Sequence, residues 1–357
     1  MELITEDLIN CSIPKAYLFF KYLNILLRLI NLNRCILTVI MLKKIAEAIK
    51  QNQNISEKKL IKPIINNIFI NSYKSKRIFS DIGEDSAAID NDKYLTLITT
   101  DRIKTVFVEK YPFGAGLSSI LVGSDDIYCC GGQPLAASLI ISYKDEKVGQ
   151  QIIEGACEGS KKFKIPIIRG HTNPKGDQYE LSSTIVGEIE KSNYISAKMA
   201  HVDDLIILAQ DFEGKIGKAS KYYWDTITFK SSEKILLKRR AMQLIAGQRI
   251  AHSAKDISNG GIFGTILQLI EYSHVGAEID INQIEMPPVL LNLDYDLVAF
   301  SRMYLTTSFI VTSNENDHQK VLETFRNHGY HAKIIGKIIK ETPLLRIKDG
   351  DESIKII

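Results

Sequence analysis

Aspartates recur in four short motifs, each at the edge of an apolar run: Asp85 in Gly83-Glu84-Asp85-Ser86, Asp101 in Thr99-Thr100-Asp101, Asp126 in Ser124-Asp125-Asp126, and Asp256 in Asp256-Ile257-Ser258-Asn259-Gly260-Gly261. Carboxylates at strand and helix ends are what Mg2+ requires, and Mg2+ commonly arrives with phosphates. The pattern therefore points first to chemistry on ATP. Around Asp85, small neighbours let the backbone approach a ligand closely, although a solvated turn accounts for this motif equally well. At Asp101, two hydroxyls and a carboxylate at a strand end can hold Mg2+ and its waters together. Asp125 and Asp126 fall near a helix C-terminus, where negative charge opposes the helix dipole; a bound cation is one reason for the placement, local pairing or capping another. Arg169-Gly170-His171-Thr172-Asn173 follows an apolar strand and offers a guanidinium, bare backbone and polar side chains to phosphate oxygens. Gly260-Gly261 precedes a helix whose free N–H groups can receive an anion, with an N-cap by Ser258 or Asn259 as the plain alternative.

Other loops of this kind are missing from the sequence. Gly214-Lys215-Ile216-Gly217-Lys218-Ala219-Ser220 has the composition of a Gly-x-x-x-x-Gly-Lys-Ser/Thr loop but not its spacing. No Gly-x-Gly-x-x-Gly follows a strand, and no Gly-x-Ser-x-Gly is present. The 357 residues are 45% apolar and 24% charged, which suits a globular protein of about two domains. A net charge of +3, with lysine and arginine scattered among nearly as many acids, provides no basic face for nucleic acid. The five cysteines, Cys11, Cys35, Cys129, Cys130 and Cys157, form no C-x-x-C pair and no zinc-spaced cluster with histidine, a usage that fits a reducing cytoplasm. The Cys129-Cys130 pair reads as two small residues ending a buried helix, or as a redox or metal site.

The elements that must position these motifs follow from periodicity. Leu42, Ile45, Ala46 and Ile49 predict one amphipathic helix, and Leu60, Ile61, Ile64, Ile65 and Ile68 a second. Tyr94–Thr100 predicts a strand ending at Asp101, and Gly114 and Gly116 open a helix that Gly131-Gly132 stops after Cys130. Strands are expected at 134–142, 165–168, 181–189, 205–209, 277–281, 304–312 and 332–338, with helices at 147–163, 233–252, 262–270 and 319–327. Strands and helices alternate in both halves, so the class is mixed α and β. Tyr17 to Ile40 is rich in Leu, Ile and Phe, but Lys21, Arg28 and Arg34 interrupt it before the roughly 18 apolar residues of a membrane span. It reads as an amphipathic surface helix or as an extension upstream of a fold that opens at Met41.

Taken in order, Gly83-Glu84-Asp85-Ser86-Ala87-Ala88, Thr99-Thr100-Asp101, Ser124-Asp125-Asp126 with Gly131-Gly132-Gln133-Pro134, Gly170-His171-Thr172 and Asp256-Ile257-Ser258-Asn259-Gly260 resemble the AIR synthase-related superfamily. That group includes aminoimidazole ribonucleotide synthetase, thiamine-monophosphate kinase and selenophosphate synthetase, and the chain is most similar to its uncharacterised branch. The resemblance runs from about Ile45 to Lys340. It implies an α+β, two-domain fold, with an N-terminal mixed sheet that joins a dimer barrel and a C-terminal α/β sandwich. It also implies a homodimer with ATP and Mg2+ at the domain cleft. Carried over by motif, it makes Asp85, Thr99, Thr100, Asp101, Asp126 and Asp256 metal ligands, Asp101 and Asp126 also catalytic, and brings Gly170 and Ser258 to the nucleotide with His171, Thr172 and Arg169 beside them. The expected organisation is an extension at 1–40, an N-terminal domain at 41–198 and a C-terminal domain at 199–357. The kinase has aspartates where this chain has His171 and Asn259 and a histidine where it has Val108, which argues against thiamine-monophosphate kinase activity. The expectation is an Mg2+-dependent, ATP-binding cytoplasmic enzyme that phosphorylates or activates a small metabolite, with a non-catalytic nucleotide-binding module as the alternative, and with neither nucleic acid nor membrane as partner.

Overall fold

A computed structural model describes residues 15–356; within 15–35 the side chains described are those of Leu23, Leu26 and Leu27. Cys11 and the side chain of Cys35 lie outside the described residues. The first half comprises α1 (Lys15–Lys50), α2 (Gln53–Asn71), β1 (Ile78–Ser80), β2 (Ala87–Asn91), β3 (Tyr94–Arg102), α3 (Thr105–Lys110), α4 (Pro112–Cys129), β4 (Gln133–Ser142), α5 (Glu146–Phe163), β5 (Ile167–Asn173) and β6 (Glu180–Glu190). The second comprises β7 (Leu205–Gln210), β8 (Lys215–Ile216), β9 (Tyr223–Asp225), α6 (Ser232–Gln248), β10 (Ser253–Asp256), α7 (Gly261–Ser273), β11 (Gly276–Asp280), α8 (Pro288–Leu291), α9 (Leu297–Phe300), β12 (Tyr304–Leu305), β13 (Phe309–Ser313), α10 (His318–Asn327), β14 (His331–Ile339), β15 (Leu345–Asp349) and β16 (Glu352–Lys355).

Each half is built on one mixed sheet. The N-terminal sheet has the order β1-β2-β3-β6-β4-β5, antiparallel except for the parallel β4–β5 pair at its edge. It stays open, and α4 and α5 cover one face. These helices cross at glycines for a steric reason: a Cβ on Gly116 would stand 2.1 Å from the Ile152 carbonyl oxygen, and one on Gly155 2.0 Å from that of Phe113. The C-terminal sheet runs β10-β13-β7-β14-β11-β15-β16. Alternation along β7 sends Ile207 and Ala209 toward α6 and α10, and Ile206 and Leu208 toward α1 and α7. Both faces are covered, which is why β7 reads as an unbroken apolar run. The expected two-domain α+β class holds.

Several boundaries differ from expectation for identifiable reasons. Helix α1 runs unbroken from Lys15; among its described side chains the first buried one is Leu42, and the helix packs on α9, β15 and β16. Helix α2 has no buried residue, and Leu60, Ile64, Ile68 and Ile70 face outward. Arg169 to Asn173 belong to strand β5 itself rather than to a loop after it. The strand expected at 304–312 breaks at Thr306–Ser308, where Thr307 adopts a left-handed φ of 55° and the hydroxyls of Thr306 and Thr307 bond Thr226 instead of leaving the ladder intact. The helix expected to reach 252 stops at Gln248, because Arg249 turns left-handed and its N–H closes on the Ala246 carbonyl. Among the described residues no helix is long and apolar enough to cross a membrane.

Candidate active site

The seam between the halves holds a cavity of about 690 Å3, and β3, α4, β10 and the turn before β2 deliver acids to its floor. On β3, Leu95, Leu97, Thr99 and Asp101 share one face by the two-residue period, so the row that fills the core continues as polar groups into the cavity. Thr100 takes the opposite face, where its hydroxyl lies 3.0 Å from that of Thr184. The two threonine hydroxyls therefore do not act from one side. On α4, Ser118, Val122 and Asp126 are spaced by four and line the cavity, whereas Asp125 is turned toward α6, where the Arg239 guanidinium binds it at 2.6 Å. Asp126 therefore lines the cavity and Asp125 does not.

Asp85, Asp126 and Asp256 converge with carboxylate oxygens all within 4.8 Å of one another. Thr99 donates to Asp126 at 2.5 Å. Lys255, on the same strand as Asp256, bonds Asp85, which also accepts the Asp256 backbone N–H at 3.3 Å. Glu84 is occupied elsewhere: it accepts the Ser80 and Ser196 hydroxyls and the Ala197 N–H, each at 2.6 Å, and so pins the acidic turn to the segment between the domains rather than holding a cation. Ser258 lines the cavity, but neither it nor Asn259 caps α7, which begins at a Gly260 cap without a side-chain bond. Lys58 of α2 donates to Gln268 at 2.7 Å and to Ser258 at 3.3 Å, so this outlying helix brings an ammonium group over the floor.

The charges on the floor are poorly balanced. Burial and the neighbouring Asp101, Asp256 and Asp85 push the Asp126 carboxyl well up. Burial raises Asp101, and one of its oxygens, Oδ2, is buried without a partner. Burial, then the Asp85 charge, pushes Asp256 up to about 8. Burial lowers Lys58, whereas at Lys255 the Asp85 and Asp256 charges together overcome burial and raise the ammonium. A divalent cation fits this donor set: an orphaned buried oxygen and crowded carboxylates are what it would satisfy. A folded aspartate of raised pKa holds a proton that the unfolded chain has already released between about pH 4 and its folded value. Without a cation, stability therefore falls as pH climbs through that window toward about 8. The rise in melting temperature given by Mg2+ is expected to be larger at about pH 8 than at about pH 5, as scanning calorimetry would show; equal rises would place the ion elsewhere.

The cavity rim is basic and aromatic. Arg102, Lys104, Lys110 and Arg302 stand around it, and Phe107, Tyr223 and Tyr304 form a wall in which the two tyrosine rings stack with centroids 5.5 Å apart. Arg102 and Lys104 follow Asp101 closely in the sequence, whereas Lys58, Lys110 and Arg302 stand in no motif of recognisable spacing. Arg169, Gly170, His171 and Thr172 do not line the cavity; they lie on β5 at the sheet edge. Cys129 and Cys130 end α4 as buried thiols that burial holds well up, so they are poor nucleophiles.

Residues 83–189 match the model of the AIR synthase related protein, N-terminal domain, and residues 215–345 that of its C-terminal domain. An uncharacterised protein of Methanocaldococcus jannaschii is 32% identical over 312 residues, covering 87% of this chain and 94% of that one. The phosphoribosylformylglycinamidine cyclo-ligase of Pyrococcus horikoshii is 25% identical over 300 residues, covering 75% of this chain and 86% of the relative. Among solved structures, T. maritima PurL complexed with ADP superposes with a TM-score of 0.65 at 13% identity over 78% of this chain, which spans 46% of that longer protein. The matched domains and the cleft between them make this chain a member of the AIR synthase related family, with that family's two-domain fold.

Proposed function

We propose that this chain is an Mg2+-dependent ATP-binding enzyme that phosphorylates or otherwise activates a small metabolite. The observation that carries the reading is the charge imbalance at the seam: Asp85, Asp101, Asp126 and Asp256 face only Lys58 and Lys255, beneath a rim of Arg102, Lys104, Lys110 and Arg302. Acids below and bases above suit a cation carrying a triphosphate. Asp85, Asp101, Asp126 and Asp256 would hold Mg2+, which supplies charge neutralisation for phosphate oxygens when bound. Thr99 fixes one oxygen of Asp126, Lys255 holds Asp85 in an ion pair, and Lys58 and the rim bases orient phosphates. The aromatic wall gives a ring or an apolar acceptor its face and keeps water from it. Relatives that include a cyclo-ligase, a selenide, water dikinase and an ADP-bound PurL support nucleotide chemistry. The exposed β5 edge, with Arg169, His171 and Thr172, suits a homodimer in which N-terminal sheets meet, acting in the cytoplasm.

Calorimetric titration of ATP with and without Mg2+ tests this. Saturable binding that requires Mg2+ is expected; no binding with Mg2+ present would sink the reading. Lys58→Gln removes a charge-assisted contact of about 1.5–3 kcal/mol and is expected to weaken Mg2+–ATP binding about 10- to 100-fold. Unchanged affinity would remove α2 from the nucleotide site.

A further inference from the structure

We propose that His201, Asp204 and His252 form a separate site for a divalent transition-metal ion of the zinc class. None of the three lines the cavity. Their donor atoms all lie within 4.8 Å of one another. The Asp204 carboxylate is 97% buried on its side chain and faces His252, whose Nδ1 lies 2.8 Å from one oxygen and 3.0 Å from the other. The two imidazoles stand with centroids 4.4 Å apart, and the His201 ring nitrogens have no hydrogen-bond partner among the described residues.

The geometry requires little change to accept an ion. Two tetrahedral bonds of about 2.1 Å separate their donor atoms by about 3.4 Å. The His252–Asp204 pair therefore opens by roughly half an ångström, and the proton between them leaves as the ion enters. The His201 ring is exposed and is attached to a turn already fixed: Asp204 accepts the His201 N–H at 2.9 Å, and its carbonyl accepts the Ile338 N–H at 2.8 Å. Two imidazoles and one carboxylate favour zinc-class ions over Mg2+, which prefers an all-oxygen shell. With three protein ligands and an exposed fourth position, the ion stays exchangeable. Its mechanical effect is specific. His201 and Asp204 end the segment joining the domains, while His252 immediately precedes β10, so the ion staples that segment to the strand whose far end, about 13 Å on, carries Lys255 and Asp256.

The test is titration of Zn2+ into the full chain in excess Mg2+, with Cys157→Ser removing the thiol that is exposed among the described residues. Wild type is expected to take up one equivalent, with a melting temperature about 3–4 °C higher at a hundredfold excess over Kd. His201→Gln alters only an exposed ring, and His252→Gln keeps a donor for Asp204; each is expected to weaken Zn2+ binding at least tenfold while leaving the zinc-free melting temperature and Mg2+-dependent ATP binding as they are. Co2+ in place of Zn2+ should give d–d bands without a thiolate charge-transfer band. Zn2+ affinity equal to that of wild type in both histidine variants, a thiolate band, or no uptake by wild type would overturn the proposal. Failure of ATP to bind bears only on the cavity, not on this site.

Discussion

Asp101→Asn is expected to raise the stability of the ligand-free protein while lowering ATP turnover about 100- to 1,000-fold. The two effects have one cause. Asp101 stands partly buried beside Asp126, Asp85 and Asp256, with one oxygen buried and unpartnered, and burial already pushes its carboxyl up. An amide of the same shape removes a charge from this crowd and supplies an N–H to the neighbouring Asp126. Relief of this kind is worth about 0.5–2 kcal/mol, a few degrees in melting temperature. The same change takes away a ligand oxygen, so the stabilisation given by Mg2+ should shrink as the ligand-free protein gains. Calorimetry of both proteins, with and without Mg2+ and ATP, checks the crossing of the two trends. A variant less stable without ligand but unchanged in turnover would mean that Asp101 is a structural residue.

Much of this site was legible because its acids sit where periodicity changes. The apolar alternation of β3 ends at Asp101, and the helical stripe of α4 ends at Asp126, so pattern breaks marked both positions. Order along the chain did the rest, since five weak motifs in sequence narrow a fold more than any one of them does. What stayed hidden has physical reasons. Lys255 lies in a four-residue strand, Ser253–Asp256, whose burial comes from the neighbouring sheet and α4 rather than from its own composition. Lys58 looks like any charge on the polar face of a helix until α2 is placed over α7. The setting of the Thr100 hydroxyl is not visible from adjacency: in a strand, neighbours face opposite ways, and this hydroxyl lies 3.0 Å from that of Thr184 on the far face. Arg239 carried no signal because it pairs with an acid 114 positions away.

Arg239→Ala is expected to destabilise the protein by about 3–5 kcal/mol, the largest loss from any single change considered. Arg239 is fully buried; it binds Asp125 through Nε at 2.8 Å and Nη2 at 2.6 Å, donates to the Ile235 carbonyl at 3.2 Å and to Thr307 at 3.3 Å, and lies 4.7 Å from the centre of the Phe163 ring. Removing it leaves Asp125 buried without its countercharge, where burial already raises that carboxyl despite the guanidinium. The pair also joins α4 to α6 across the domain seam, and Asp126 is the next residue of α4. Loosening that joint should therefore weaken Mg2+–ATP binding as well as the fold. Burying two ions is expensive in itself, so the double variant Asp125→Leu with Arg239→Met is expected to recover most of the lost stability. It should not recover nucleotide affinity fully, because apolar packing holds the helices together without fixing the rotation of α4 that aims Asp126. Urea denaturation of the two single variants and the double variant, read as a cycle, separates the two roles. A loss below about 1 kcal/mol in Arg239→Ala would mean that water reaches Asp125 and that the seam does not depend on this pair.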